Sequence, residues 1–163
     1  TYAPNDLAQA VAFGTTFDLT PIIAETIRSW LNQIRTSTEE KPFVGVNELT
    51  LPAELDRLES LLDSYLLADE GDVEALLSLM PEPAERDHIQ WYLLLLAQRT
   101  AEDLVGARGT LEVISATDLQ DPLWFSLEKA LLEKAEGNPD GLEALAKEGE
   151  GWVALRASDL LGE

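Results

Sequence analysis

Hydrophobic residues recur every three or four positions along most of this chain, the spacing that places them on one face of an α-helix. Proline and glycine interrupt the pattern at regular intervals. The breaks predict helix starts near Glu85, Asp103, Asp121 and Pro139, each 18 residues after the one before. Such an interval holds about three turns of helix and a short connection. The pattern therefore predicts an all-α fold of stacked antiparallel helical hairpins.

The N-terminal third of the chain contains one strong helix signal followed by a long polar interval. Thr20 and Pro21 are typical of a helix start. The buried face of this helix is expected to consist of Ile23, Ile27, Trp30, Leu31 and Ile34. A shorter apolar segment, 7–13, precedes it. From Thr36 to Pro52 the periodicity is absent, which predicts a connection of about 16 residues, longer than is usual inside a compact domain.

The length of the chain fits a single domain over residues 1–163. The interval 36–52 is the predicted sub-boundary. It separates an N-terminal helical cap, residues 1–35, from a helical-repeat region, residues 53–163. Within that region, the segment 84–101 is apolar on nearly every side, so we expect it to form a central helix with neighbours on both sides.

The predicted helix pair between Glu85 and Ser115 places an aromatic residue, a leucine and a small residue at set spacings. The positions concerned are Trp91, Leu94, Ala107 and Leu111, followed by Trp124 and Leu127. In these positions the chain resembles the tetratricopeptide repeat, a helical hairpin of about 34 residues. The resemblance covers roughly residues 52–163 and departs from the repeat at Leu95, Gln98 and Ile114. It implies a right-handed stack of hairpins whose concave surface binds a peptide or protein, without catalysis.

A second resemblance is to the redox-enzyme maturation chaperones of the TorD type, which are acidic and all-helical. Glu82-Pro83 and Asp87-His88 are similar to the two halves of their signature, although three residues separate the halves here. This resemblance implies a chaperone that holds a segment of a client protein. A structural domain of a larger or membrane-tethered protein is a further alternative.

The charge of the chain narrows the choice of partner. There are 31 acidic residues and 11 basic ones, which gives a formal net charge of -20. Binding to nucleic acid or anionic lipid requires clustered lysine and arginine, so both are disfavoured. We expect a protein or peptide partner of basic character. The same acidity also fits a scaffold kept soluble by self-repulsion, or a high-salt environment.

Few residues are available for chemistry. The chain has one histidine and no cysteine, and it lacks the nucleophile and phosphate-binding motifs of common enzymes. Glu85 and His88 have the spacing of two metal ligands on one helix face, but a di-iron site needs a second such pair. We therefore predict a non-catalytic protein with no cofactor and no metal. The apolar run from Leu93 to Ala97 is far shorter than the ~20 residues of a membrane-spanning helix. The compartment stays open, with a small preference for the cytoplasm over a soluble extracytoplasmic domain.

The candidate partner-binding residues combine two aromatic side chains with three carboxylates. Tyr92 and Trp124 stand beside the main apolar stripe of their helices, so we expect them to line a groove between hairpins. Glu85, Asp87 and Glu128 are expected at its acidic rim. Because electrostatic attraction across such a rim is screened by salt, binding should weaken as ionic strength rises.

Overall fold

In a computed structural model of the chain, the structure describes residues 11, 19–40, 51–117 and 122–162. These ranges form eight α-helices and one 3₁₀ turn, Pro83–Glu85, and contain no strand. The helices are α1 (Thr20–Glu40), α2 (Leu51–Glu70), α3 (Val73–Leu79), α4 (His88–Thr100), α5 (Leu104–Ala116), α6 (Pro122–Ala135), α7 (Asp140–Glu148) and α8 (Trp152–Leu161). The predicted all-α class is confirmed for this part of the chain. Apart from Val11, the predicted segment 7–13 lies outside it.

The same backbone turn closes three helix pairs, α2–α3, α4–α5 and α6–α7. Each turn contains one residue with positive φ: Gly71 at 72°, Glu102 at 60° and Gly137 at 98°. The amide of that residue donates to the carbonyl three positions earlier, and the next amide donates to a carbonyl five positions earlier. This is the Schellman motif, which satisfies the last carbonyls of a helix. The same motif thus ends the first helix of all three hairpins.

An Asx side chain follows directly after each of these turns. The carboxylate of Asp72 accepts from the amide of Ala75 at 3.1 Å, and that of Asp103 accepts from the amide of Gly106 at 3.0 Å. After the third turn, the side-chain oxygen of Asn138 accepts from the Asp140 amide at 3.1 Å. These bonds satisfy amides at the start of the second helix of each hairpin, which otherwise lack partners.

Helix α4 lies at the centre of the described structure. It packs against α2, α3 and α5, and every residue from Tyr92 to Gln98 is buried, on all sides of the helix. The one amide side chain among them is satisfied, because the Thr110 hydroxyl donates to the Gln98 side-chain oxygen at 2.6 Å. The prediction of a central helix is confirmed for residues 88–100, whereas residues 84–87 of the predicted segment precede the helix.

Apolar side chains form two clusters that meet at α6. The larger core draws on helices α1 to α6 and includes Trp124 and Leu132 from α6. The smaller core consists of Leu127, Ala130, Leu142, Val153 and Ala157, from α6, α7 and α8. Helix α6 therefore contributes one face to each core.

Helix α1 packs antiparallel against α2 and is held there by arginine–carboxylate pairs. Arg28 contacts Asp63 at 2.9 Å, while Arg35 contacts Asp56 at 3.0 Å and Glu59 at 2.8 Å. As residue numbers rise along α1 the partners fall along α2, which fixes the antiparallel direction. Side chains of both helices also enter the larger core.

The predicted connection from Thr36 to Pro52 is too long at both ends. Helix α1 continues to Glu40, and α2 already begins at Leu51. The Thr36 hydroxyl donates to the Asn32 carbonyl at 2.9 Å, one turn earlier on α1. Residues 41–50, where the predicted sub-boundary falls, lie outside the described residues.

Candidate protein-interaction surface

The two aromatic residues predicted to line a groove are in the interior. Tyr92 of α4 and Trp124 of α6 are each 1% exposed. Their rings stack with centroids 3.9 Å apart and planes 12° from parallel. The expectation of an open groove at these residues is wrong, because α4 has neighbours on every side and the ring of Trp124 covers that of Tyr92.

Glu128 was expected at an acidic rim and is also buried, with 3% of its surface exposed. Its carboxylate accepts from Arg99 of α4, with Nε to Oε2 at 3.2 Å and a second contact at 3.4 Å. A buried carboxylate needs a partner of this kind, since an unpaired charge in the interior is costly. The structure thus brings Tyr92, Trp124 and Glu128 together, but between helices rather than at a surface.

The other two candidates lie where α4 begins. The Asp87 carboxylate accepts from the Gln90 amide at 2.9 Å, and the Gln90 side chain accepts from the Asp87 amide at 2.9 Å. This reciprocal pair is a capping box, so Asp87 has a structural role at the helix start. Glu85 is exposed at the end of the 3₁₀ turn. Glu85 and Asp87 therefore lie at the surface, whereas Tyr92, Trp124 and Glu128 lie in the interior.

Three of the exposed large apolar side chains of the described structure lie on helix α1. Ile22 is 64% exposed, Trp30 46% and Ile34 39%. With the exposed Thr26 between them, these residues are spaced four apart and form one ridge, which we name the α1 ridge. Exposed large apolar side chains grouped in this way often mark an interaction site.

The prediction that Trp30 and Ile34 belong to the buried face of α1 is wrong. Of the predicted face, Leu31 is buried and Ile23 and Ile27 pack against the core, and Ala24, two helical turns before Leu31, is buried with them. On the same side, Arg28 and Arg35 reach the carboxylates of α2. The spacing of four from Ile22 to Ile34 was present in the sequence, but it did not show which part of the apolar arc faces solvent.

A shallow depression follows the α1 ridge. It is lined by Ile22, Glu25, Thr26, Ser29, Trp30 and Gln33. A second depression on the same helix has a polar lining that includes Glu25, Arg28 and Asn32. The apolar ridge with a polar margin resembles the arrangement of protein interfaces, in which an aromatic or aliphatic centre is surrounded by polar residues.

The charges around the ridge favour a cationic partner. Both arginines of α1 are engaged by carboxylates of α2, so their positive charge is largely neutralised. Glu25, which borders the ridge, is exposed. The net charge of -20 adds a field that attracts positive ligands to the whole molecule.

Among the residues that the structure describes, no group of three or more histidine, aspartate or glutamate side chains is placed to hold a metal ion. None of the helices in the described ranges is long and apolar enough to cross a lipid bilayer. No family model, curated protein or solved structure gives a significant match to this chain. The interpretation of its function therefore rests on its own residues and surfaces.

Proposed function

We propose that this chain is a non-catalytic protein-interaction domain that binds a basic amphipathic helix of another protein along the α1 ridge. The observation that carries the proposal is the exposure of Ile22, at 64%, on the same line as Trp30 and Ile34. Tryptophan is enriched among residues that dominate binding energy, and burial of an aliphatic neighbour adds to it.

A helical partner fits the geometry of the ridge. Side chains spaced four apart along one helix pack into the grooves between the side-chain rows of another helix. The ridge from Ile22 to Ile34 spans three such steps, the length over which an amphipathic partner helix presents its apolar anchors. Charge complementarity selects a basic partner over an acidic one, because the chain carries a net charge of -20.

We further propose that the hairpins form a superhelical stack of the tetratricopeptide type, with α1 as its N-terminal cap. The recurrence of one turn at positions 71, 102 and 137 supports this arrangement. The pairs Tyr92–Trp124 and Arg99–Glu128 rise together along α4 and α6, as expected for parallel first helices of successive hairpins. Packing of α4 against both helices of the preceding hairpin also fits a stack.

The test uses a synthetic helical peptide with leucines on one face and lysines on the other, titrated by fluorescence anisotropy. Ile22→Thr is expected to weaken binding about tenfold, because the loss of buried apolar surface approaches the ~1.4 kcal/mol of a tenfold change in affinity. Val105→Thr is the matched control. Val105 is β-branched, lies on a helix and is 87% exposed, but it is on α5, away from the ridge.

Two comparisons separate recognition from simple charge attraction. A peptide of the same composition in scrambled order keeps the charge but loses the apolar face, and we expect it to bind at least tenfold more weakly. The proposal is wrong if the scrambled peptide binds equally well, or if Ile22→Thr and Val105→Thr have the same effect. A rise in salt should weaken binding without removing the difference between the two variants.

A further inference from the structure

One row of residues on α6 forms the contact between the two cores. Trp124, Glu128 and Leu132 are spaced four apart, and Glu136 continues the row just beyond the helix. Trp124 and Leu132 pack into the larger core, and both glutamates pair with arginines of the preceding hairpin. We name this contact the α6 seam.

Helices α6, α7 and α8 enclose the smaller core without help from the rest of the described chain. Leu127 and Ala130, on another face of α6, pack with residues of α7 and α8. A polar contact closes the same unit, because the Lys134 ammonium donates to the Leu160 carbonyl at 2.7 Å near the end of α8. The unit formed by residues 122–162 thus has its own apolar centre and its own internal tie.

The contacts across the α6 seam combine apolar packing with polar pairs. They include one aromatic stack, Tyr92–Trp124, and two ion pairs. In both ion pairs the arginine, Arg99 or Arg108, belongs to the α4–α5 hairpin and the glutamate belongs to α6 or the turn after it. Arg108 Nε donates to Glu136 at 3.1 Å. From α6, Trp124 and Leu132 are buried in the larger core and Phe125 packs against it.

We infer that residues 122–162 form a separately cooperative unit that opens from the rest of the protein at the α6 seam. Proteins open in contiguous units whose stabilities follow their local packing, and a unit with its own core can separate while that core stays intact. Opening breaks the Arg99–Glu128 pair and the aromatic stack, so it exposes Tyr92 and Trp124 together. The smaller core is kept in the open state.

Native-state hydrogen exchange of the full chain, followed by mass spectrometry, tests the inference. Glu128→Gln removes the charge of the buried pair at nearly constant shape. We expect the most protected amides of α6 at the seam to exchange at least tenfold faster in this variant, while the most protected amides of α2 keep their rate. Asp63→Asn, which breaks the Arg28–Asp63 pair between α1 and α2, should leave exchange in α6 unchanged.

Two results would overturn the inference. An equal rise of exchange in α2 and α6 would mean that the protein opens as one unit. No rise in α6 would mean that the α6 seam does not limit the opening of this helix. If Glu128→Gln fails to fold, Glu136→Gln provides the second test, since its pair is partly exposed. It should raise exchange in α6 selectively, by a smaller factor.

Discussion

Glu102 stands where the other two Schellman turns have glycine, and its replacement by glycine should stabilise the protein. Its φ of 60° lies in the left-handed region, in which the side chain of an L-residue crowds the backbone. The corresponding residues Gly71 and Gly137 have no Cβ and avoid this cost. The sequence therefore contains one strained hairpin and two relaxed ones.

The magnitude follows from three contributions, two that stabilise the protein and one that opposes them. Release of an L-residue from the left-handed region gains roughly 1–2 kcal/mol. Glycine also raises the conformational entropy of the unfolded chain, which offsets about 0.4–1 kcal/mol of this gain in stability. Removal of a carboxylate from the C-terminal end of α4, where the helix dipole is negative, adds a few tenths of a kcal/mol. We expect Glu102→Gly to raise the free energy of unfolding by about 1 kcal/mol.

Urea unfolding followed by circular dichroism measures the effect as a shift of the midpoint at unchanged slope. Glu102→Gln is the control for charge and should give only the few tenths due to the dipole. Glu102→Ala keeps the Cβ, so it should gain little more than Glu102→Gln. If Glu102→Gly is no more stable than Glu102→Ala, the backbone at this turn is not strained, and the predicted gain in stability is refuted.

Three further predictions use the same unfolding measurement. Gly71→Ala should cost about 2 kcal/mol, because a Cβ at φ 72° lies 3.1 Å from the Thr100 methyl carbon in addition to its backbone strain; an unchanged midpoint contradicts this. Asp87→Ala should cost about 1 kcal/mol through loss of the capping box, whereas Glu85→Ala should stay within about 0.5 kcal/mol; equal effects argue against the cap. Burial raises the pKa of Tyr65 to about 12, partly offset by the Thr20 hydroxyl. Above pH 10 the unfolded tyrosine ionises first, so Tyr65 should contribute a fall in stability of about 2–3 kcal/mol by pH 12. Tyr65→Phe should lose less stability than the unchanged protein by this amount between about pH 10 and pH 12, and an equal loss in both proteins would refute the prediction.

Helix boundaries could be predicted wherever local capping chemistry decides them. The predicted starts near Asp103 and Pro139 agree with α5 and α7, which begin one residue later. The start near Glu85 is three residues early, because Pro83–Glu85 forms a 3₁₀ turn and Asp87 caps the helix. No glycine marks the turn at Glu102, so the left-handed backbone of this residue could not be recognised from the sequence.

The surfaces could not be predicted, because they depend on how helices rotate against one another. Periodicity placed Trp30 on an apolar arc, but Ala24 and Leu31 are the residues of α1 that enter the core, and Trp30 faces outward. Tyr92 and Trp124 stand beside the main stripes of their helices, and only the approach of α6 to α4 shows that they cover each other. Single-helix patterns carry no information on such contacts between distant segments.

Binding of a basic amphipathic helix to the α1 ridge can be located by paramagnetic relaxation enhancement. A nitroxide is attached to the middle of the leucine–lysine peptide, and amide signals of the protein are recorded with the label oxidised and then reduced. If the peptide binds the α1 ridge, we expect a selective loss of signal for residues 22–34 in the oxidised state. Strongest losses on α5 around Val105, or uniform weak losses over the whole acidic surface, would contradict it.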